Sequence, residues 1–471
     1  MKQTKIVCSI SDRRCDVDFL RKLFFAGMNV VRMNTAHATP DGIREIIRNT
    51  RTVSPHLALL IDTKGPEVRT TGTDNPIHYK VGDMVKIFGR PEVDTTKDII
   101  NVSYPDFARD VKVGDHVLFD DGALDMLVVE SSGPMLVAQV QNEGDLGSHK
   151  SVNVPGEHIE LPALTEKDKR NILLAIEEDI DFIAHSFVRS AADVLEVQKI
   201  LDEHNSDIKI ISKIENQEGV DNIDEIIDAS YGIMIARGDL GIEVPIEQIP
   251  GIQRSIINKC ILKKKPVIVA TQMLHTMINN PRPTRAEVTD IANAIYSHTD
   301  ALMLSGETAS GKYPIEAVKT MASICKETEK YLPVKDVYHQ REGLKNVNGA
   351  TGFAAVDMAI RVDAKCIICP THSGRTARLV SNFRPKRPLY AMSPSDEAVR
   401  RTCFYWGVYA FKTSEQGTLS NTMYNALNIA KEVGVVETGD IVVLTAGDPH
   451  TSPRLGDYTT STNVAMICQV Q

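Results

Sequence analysis

Apolar runs of strand length recur along the chain, and stretches with helical spacing separate most of them. Eight runs read KIVCSI, MNVVRMN, HLALLID, DFIAHSF, IKIISKIE, YGIMIARGD, PVIVATQ and ALMLSGE. A strand that is apolar on both faces needs cover on both, which parallel strands obtain from the helices connecting them. Helix punctuation is visible between the runs. DVDFLRKLFFAG closes on Gly27, and TEKDKRNILLAIEE opens on a Thr165 cap. Eight strand–helix units predict a (β/α)8 TIM barrel, an α/β fold. One insertion breaks the alternation. Residues 70–157 hold the short alternating runs DMVKIFG, DHVLFDDGAL, DMLVVESS and MLVAQVQN, punctuated by Gly and Asp. They predict a small all-β lid domain carried on a barrel loop. The barrel is then expected over 1–69 and 158–338. The polar stretch PVKDVYHQREGLKNVNG reads as a linker. Beyond it KCIICP, RPLYAMSP, GVYAFKT, DIVVLTAG and NVAMICQV predict an open α/β domain over 339–471.

Bulk properties narrow the function. The chain has 471 residues, more than one core accommodates, and 42% are hydrophobic. A net charge of −9 and the lack of a dense Lys/Arg run argue against a nucleic-acid partner. No apolar stretch approaches the roughly 18 residues of a membrane span. MKQTKIVCSI runs directly into a strand pattern, too short an apolar run for a secretory leader. The eight Cys are scattered. Cys366 and Cys369 form a CxxC, but positions three apart on a strand face opposite sides, so both read as buried thiols. The expected compartment is the cytoplasm.

Polar residues gather where the apolar runs end, the face on which barrels of this kind place their active sites. The second run ends with Arg32, Asn34 and His37. The third ends with Asp62, Lys64, Glu67 and Arg69. The fourth has Ser186 and Arg189, and the fifth Lys213 and Glu215. The sixth has Arg237 and Asp239, the seventh Thr271 and Gln272, the eighth Ser305 and Glu307. Lys213 and Glu215 are two apart, so they leave their strand on one side. Glu215 and Asp239 are expected at matching height on adjacent strands, where two carboxylates repel unless a cation joins them. Mg2+ or Mn2+ suits such oxygen ligands. Lys213 and neighbouring Arg residues would then face a phosphate or an enolate. A structural layer of ion pairs, Lys213 with Glu215 and Arg237 with Asp239, is the plainer alternative. Charge at six of eight strand ends favours a site, because buried charge is costly without a task. In the last domain, CIICPTHSGRTARLV reads as strand, tight turn and helix. Thr371, Ser373, Gly374, Arg375 and Thr376 form either a phosphate cradle at a helix N-terminus or an ordinary capped turn.

The run IKIISKIENQEGV resembles the active-site signature of the pyruvate kinase family. The resemblance continues through DTKGPEVRT, GIMIARGDLGIE, ATQMLHTMINNPRPTRAE, ALMLSGETASGKYP and SGRTARLVSNFRP, covering nearly the whole chain. It implies phosphoryl transfer from phosphoenolpyruvate to ADP, giving pyruvate and ATP. Lys213 would steady the transferring phosphoryl group and the enolate, and Arg32 would contact phosphate. Thr271 would lie beside the methylene carbon that gains a proton. Ala236, Arg237 and Gly238 would hold the substrate carboxylate, partly through backbone amides. Arg69, His37 and Lys167 would fall on the nucleotide side. Glu215 and Asp239 would bind Mg2+ or Mn2+; Asn34, Asp62 and Thr63 would bind K+. The cradle in the last domain would take a sugar-phosphate effector, and the assembly would be a homotetramer.

The chain departs from the family pattern in places. The family's RLNFSH reads RMNTAH, so a serine that supplies an oxygen to K+ is Ala36 here. Glu67 is the residue found in members that need K+, so K+ is still expected to activate, with water in place of the hydroxyl. TIGP reads SISD, with Ser11 and Asp12, and Ser190 stands where a Lys is common. The family's Gly-rich effector loop is replaced by GDPHTSPRLGDYTTST at 447–462. Two rival readings follow from the residues: a metal–enolate lyase acting on pyruvate, and a non-catalytic sugar-phosphate sensor supported by Ala36.

Overall fold

All eight apolar runs form strands, and the alternation along each explains why they close on one another. The computed structural model describes residues 1–36, 38–332, 346–448 and 462–471. The strands are Lys5–Ile10, Val30–Asn34, Ala58–Asp62, Phe182–His185, Lys209–Ile214, Gly232–Ala236, Val267–Ala270 and Ala301–Leu304. They pair in parallel into a closed barrel, the first strand meeting both the second and the eighth. One alternate set of side chains fills the barrel interior: Val7, Val30, Leu60, Ala184, Ile211 and Met234 are among them, all buried. The other set, including Ile6, Val31, Leu59 and Ile210, packs outward against the surrounding helices. Both faces are therefore dry, as continuous apolar strands require.

Local signals at the helix ends behave as the residues dictate. Asp16 caps Val17–Ala26 and Gly27 ends it at φ +126°. Thr165 and Asp168 form a reciprocal capping box on Glu166–Glu177.

The inserted segment forms a seven-stranded sheet running in space from Val68–Arg69 through Ser151–Asn153 to Ile99–Val102. It has its own core around Val85, Ile87, Phe119, Met126 and Leu136. Strands of two to four residues, such as Ile77–Tyr79 and Gly144–Leu146, are too short to leave an alternating signature. The last domain is a five-stranded sheet, parallel except for the outer strand Val464–Gln469. Its helix Val347–Arg361 begins inside the polar stretch read as a linker, capped by Asn346; residues 333–345 lie outside the described residues. Cys366 and Cys369 are buried free thiols in different core clusters, as their spacing requires. Among the described residues no helix is long and apolar enough to cross a membrane.

The last domain closes the end of the barrel opposite the polar strand ends. Its turn Thr402–Phe404 inserts Phe404 into the interior cluster, where it meets Phe182 edge-on at 4.4 Å between ring centres. Two buried ion pairs flank this plug. Arg400 meets Asp181 at 2.5 Å and Arg384 meets Asp300 at 2.9 Å. The same carboxylates accept the strand amides of Leu59 and Val267, so neither charge is left unpaired in the interface. Replacing Phe404 by Ala is expected to cost about 3–5 kcal/mol. The check is the urea midpoint of barrel unfolding; a midpoint unchanged from the parent would show that the barrel does not depend on the plug.

Candidate active site

The polar cluster at the barrel mouth is the continuation of the interior apolar series. Counting by two, Val7 leads to Ser9, Val30 to Arg32, Leu60 to Asp62, Ala184 to Ser186 and Ile211 to Lys213. Strand periodicity therefore points these polar side chains inward, above the dry layers. They meet. Arg32 donates Nε–H to Asp62 Oδ2 at 2.6 Å and Nη1–H to Ser9 Oγ at 2.8 Å. Lys213 Nζ lies 3.2 Å from Asp62 Oδ1 and 2.8 Å from Glu215 Oε1. It also donates to Ser186 Oγ at 2.8 Å, and Ser186 donates onward to the Thr63 carbonyl at 2.6 Å. The other Glu215 oxygen accepts the Phe187 N–H at 2.7 Å, from a residue turned to φ +54°. Ser9, Ser186 and Phe187 were not assigned roles from sequence; the inward count by two could have found both serines.

Burial sets the electrostatics. It opposes the charge on Lys213, yet the Asp62 and Glu215 carboxylates outweigh it and hold the pKa above that of an ordinary lysine. Burial alone would lift the Asp62 carboxyl, but Arg32 and Lys213 hold it below its usual range. Glu215 differs. Burial pushes its carboxyl up to about 7; Lys213 opposes the rise and the charge of Asp239 adds to it.

Asp239 does not lie on a strand, where it was expected. The strand Gly232–Ala236 turns at once into the helix Arg237–Glu243, and Asp239 lies in the first helical turn. Its charge still acts on Glu215. The pair fits a hard divalent cation. The donors are carboxylate oxygens, and Glu215 is 1% exposed with its charge under-compensated. Asp239 lines a cleft of about 570 Å³ between lid and barrel, together with Glu67, Arg69, Phe187 and Arg189.

The alternative pairing of Arg237 with Asp239 is absent. Arg237 meets both oxygens of Asp290, each at 2.8 Å, and donates to the Thr271 carbonyl at 2.9 Å. Its Nη1 and Nη2 are thereby committed to Asp290 and to the Thr271 turn. The Gly238 N–H in turn donates to Thr271 Oγ1 at 2.7 Å. Glu307, one of the charged strand ends, braces the backbone instead, accepting the Leu274 and Ser305 amides.

Each oxygen expected to hold K+ already has an internal donor. Asn34 Oδ1 accepts the Ala36 N–H at 3.0 Å, the Thr63 carbonyl accepts Ser186, and Asp62 is shared by Arg32 and Lys213. Such oxygens retain a second lone pair. Lys167 donates to the Ala36 carbonyl at 3.3 Å, which brings an ammonium to the same turn. Arg69 donates Nε–H to Glu67 at 2.6 Å. His37 lies outside the described residues.

A second cavity, about 420 Å³, lies in the last domain, far along the chain from the barrel site. Thr371, Ser373, Arg375 and Thr376 line it with Ser414 and Gln416. Gly374 turns at φ +78° and its N–H donates to Thr371 Oγ1 at 3.1 Å, opening the helix Arg375–Asn382. A side chain there would also press on Thr402, 3.0 Å away, so glycine is required on both counts. The Thr376 hydroxyl pairs with Thr462 at 2.9 Å. Of the departing loop 447–462, residues 449–461 lie outside the described residues.

Residues 1–318 match the family model described as pyruvate kinase, barrel domain, and residues 349–468 the one described as pyruvate kinase, alpha/beta domain. A pyruvate kinase of Borreliella burgdorferi is 46% identical over 466 residues, covering 97% of this chain and 96% of the relative. One from Geobacillus stearothermophilus is 46% identical over 462 residues, covering 95% of this chain and 78% of the relative. The solved structure of a pyruvate kinase from Cryptosporidium parvum has a TM-score of 0.93 at 36% identity, covering 100% of this chain and 96% of that one. With both family domains matched in order and relatives alike over nearly its full length, the chain belongs to the pyruvate kinase family and is a phosphotransferase.

Proposed function

We propose that the residues gathered at the barrel mouth transfer the phosphoryl group of phosphoenolpyruvate to ADP, giving pyruvate and ATP, the last step of glycolysis in the cytoplasm. The observation that carries the assignment of roles is the buried ammonium of Lys213, held charged by Asp62 and Glu215 beside the lid cleft. A phosphoryl group in transfer asks little covalent chemistry of the protein; it needs position and neutralised charge. Lys213 and Arg32 offer two cations that are oriented before substrate arrives, in a place where desolvation strengthens them. Lys213 then remains to steady the enolate oxygen. Thr271 stands beside the methylene carbon and handles the proton that carbon gains. Ala236, Arg237 and Gly238 hold the substrate carboxylate through their backbone. Arg69, Lys167 and His37 serve the nucleotide side, and lid closure excludes the water that would hydrolyse the donor.

Glu215 and Asp239 would hold Mg2+ or Mn2+, which when bound supplies Lewis-acid neutralisation of phosphoryl and enolate oxygens. Asn34, Asp62 and Thr63 would hold K+, more weakly than a site with a serine at 36. The cavity around Thr371, Ser373, Gly374, Arg375 and Thr376 takes a regulatory sugar phosphate: it combines a guanidinium, hydroxyls and a helix N-terminus in one hollow. Homotetramer assembly has support in the outer edge of the strand Val464–Gln469, which pairs with no strand among the described residues, and in the exposure of Met466 and Ile467.

Lys213→Met should lower ATP formation by at least about 10³-fold, the scale of losing a preorganised charge partner, with the circular dichroism spectrum unchanged. Retention of most activity would remove Lys213 from the chemistry. Proton and divalent cation compete for Glu215, whose carboxyl titrates at about 7. Below that value the proton holds the site, so the apparent Mn2+ affinity of the metal-free protein should rise from pH 6 to pH 8. Glu215→Gln should remove both the affinity and its slope, and a parent affinity flat over that interval would take Glu215 out of the metal site. Initial rates measured against K+, with Na+ holding ionic strength constant, should rise with K+. Ala36→Ser should lower the half-activating K+ concentration about five-fold, the effect of one recovered ligand at about 1 kcal/mol. Rates indifferent to K+ in both proteins would sink the K+ assignment.

A further inference from the structure

Thr271 occupies a backbone conformation that its side chain resists. Its φ is +67° and that of Gln272 is +53°, the left-handed region, where a β-branched residue is strained. Strain of this kind persists only where the surroundings over-determine it. Two neighbours do so. The Gly238 N–H donates to the Thr271 hydroxyl oxygen at 2.7 Å, and the Arg237 guanidinium donates to the Thr271 carbonyl at 2.9 Å.

That guanidinium is itself held from behind. Its Nη1 lies 2.8 Å from each oxygen of Asp290, with Gln253 Oε1 more distant at 3.4 Å. Asp290 belongs to the helix Arg285–Tyr296 and borders a hollow separate from the lid cleft, one it shares with Arg237 and Gln253. It touches none of Arg32, Asp62, Lys213 or Glu215 in any hydrogen bond or ion pair described above.

We propose that Asp290 is a positioning residue for the proton-transfer step. Through Arg237 it fixes the Thr271 carbonyl, and so the left-handed turn from which the Thr271 hydroxyl donates to the Ala270 carbonyl at 2.6 Å. This rests on the role assigned to Thr271 above. In that step the enolate's C=C pair takes a proton at the methylene carbon and its oxygen becomes the carbonyl of pyruvate. The hydroxyl side is replenished from water. Both Asp290 oxygens meet the one nitrogen Nη1, so the carboxylate anchors that end of the guanidinium while Nη2 reaches the Thr271 carbonyl and Met273 Sδ. Without it Arg237 regains rotamer freedom, the carbonyl loses its charged donor, and the left-handed turn relaxes. The phosphoryl step relies on Lys213 and Arg32, which the relay does not reach.

The test separates the two steps. Exchange of pyruvate methyl protons in D2O, with Mg2+ and ATP present, reads proton transfer by NMR. ATP formation from phosphoenolpyruvate and ADP reads phosphoryl transfer. Asp290→Asn, similar in volume, should slow exchange about 10–100-fold and ATP formation about threefold or less, as a misplacement near 1 Å would at one reacting atom. KM for phosphoenolpyruvate should hold, and Asp290→Glu should recover most of the exchange. Thr271→Ala in the same panel reports on the underlying role. If it slows exchange selectively while Asp290→Asn slows both steps equally, or neither, the relay is wrong and Thr271 keeps its place. If Thr271→Ala spares exchange, the role of Thr271 fails and the relay with it. Should Asp290→Asn not fold, Asp290→Ser carries the same comparison, since a selective loss of exchange in it supports the relay and an equal loss of both steps, or of neither, overturns it.

Discussion

An ammonium can be taken out of water only where carboxylates surround it, and the barrel mouth is organised by that constraint. Lys213 lies between Asp62 and Glu215, and Asp62 is shared with Arg32. Removing one member leaves a buried charge without its partner, which costs far more than the pair contributes in net stability. These four groups balance. Asp239 adds a further negative charge, and its effect is registered at Glu215, whose carboxyl is pushed up to about 7 by burial first and by that charge in addition to it. A divalent cation at this pair changes an excess of negative charge into an excess of positive charge. An anionic substrate needs that sign, so the proposed metal would complete what the carboxylates that make Lys213 tolerable leave in deficit.

Dry layers beneath the cluster keep these distances fixed. Ser9, Arg32, Asp62, Ser186 and Lys213 each stand two residues beyond an interior apolar side chain, on strands whose register is locked by neighbours on both sides. A one-residue slip would turn every polar group out of the mouth and bring apolar side chains in. Fold and site are therefore specified by one alternation.

That shared origin explains what could be read in the sequence. The eight barrel strands were legible because each is a continuous apolar run, and the same-side placement of Lys213 and Glu215 followed from the period of a strand. Asp239 was expected on a strand, but the chain leaves the strand for a helix at Arg237, and a strand count does not carry through that change. The pairing of Arg237 with Asp290 joins residues 53 apart in sequence, and no local pattern encodes it. Glu307 has the residue type of a site and the hydrogen bonds of a brace; charge at a strand end does not distinguish the two. The short strands of the lid hold their places through neighbouring strands rather than through any alternation of their own.

Phe404 could not have been placed from its own segment either, since the aromatic run Phe404, Tyr405 and Trp406 calls for burial without saying which core receives each ring. Its burial couples the two large domains. The plug enters the barrel from the end opposite the site, so the interior cluster has the last domain at one end and Lys213 at the other. A Cβ at Gly374 would stand 3.0 Å from the methyl of Thr402, the residue that opens the turn carrying Phe404. Close-packed interiors transmit displacement rather than absorb it. The ion pairs of Arg400 and Arg384 hold the last domain against the base of the barrel. The plug and the barrel interior therefore form one packed unit, built on the same strands whose ends bear Arg32, Asp62 and Lys213.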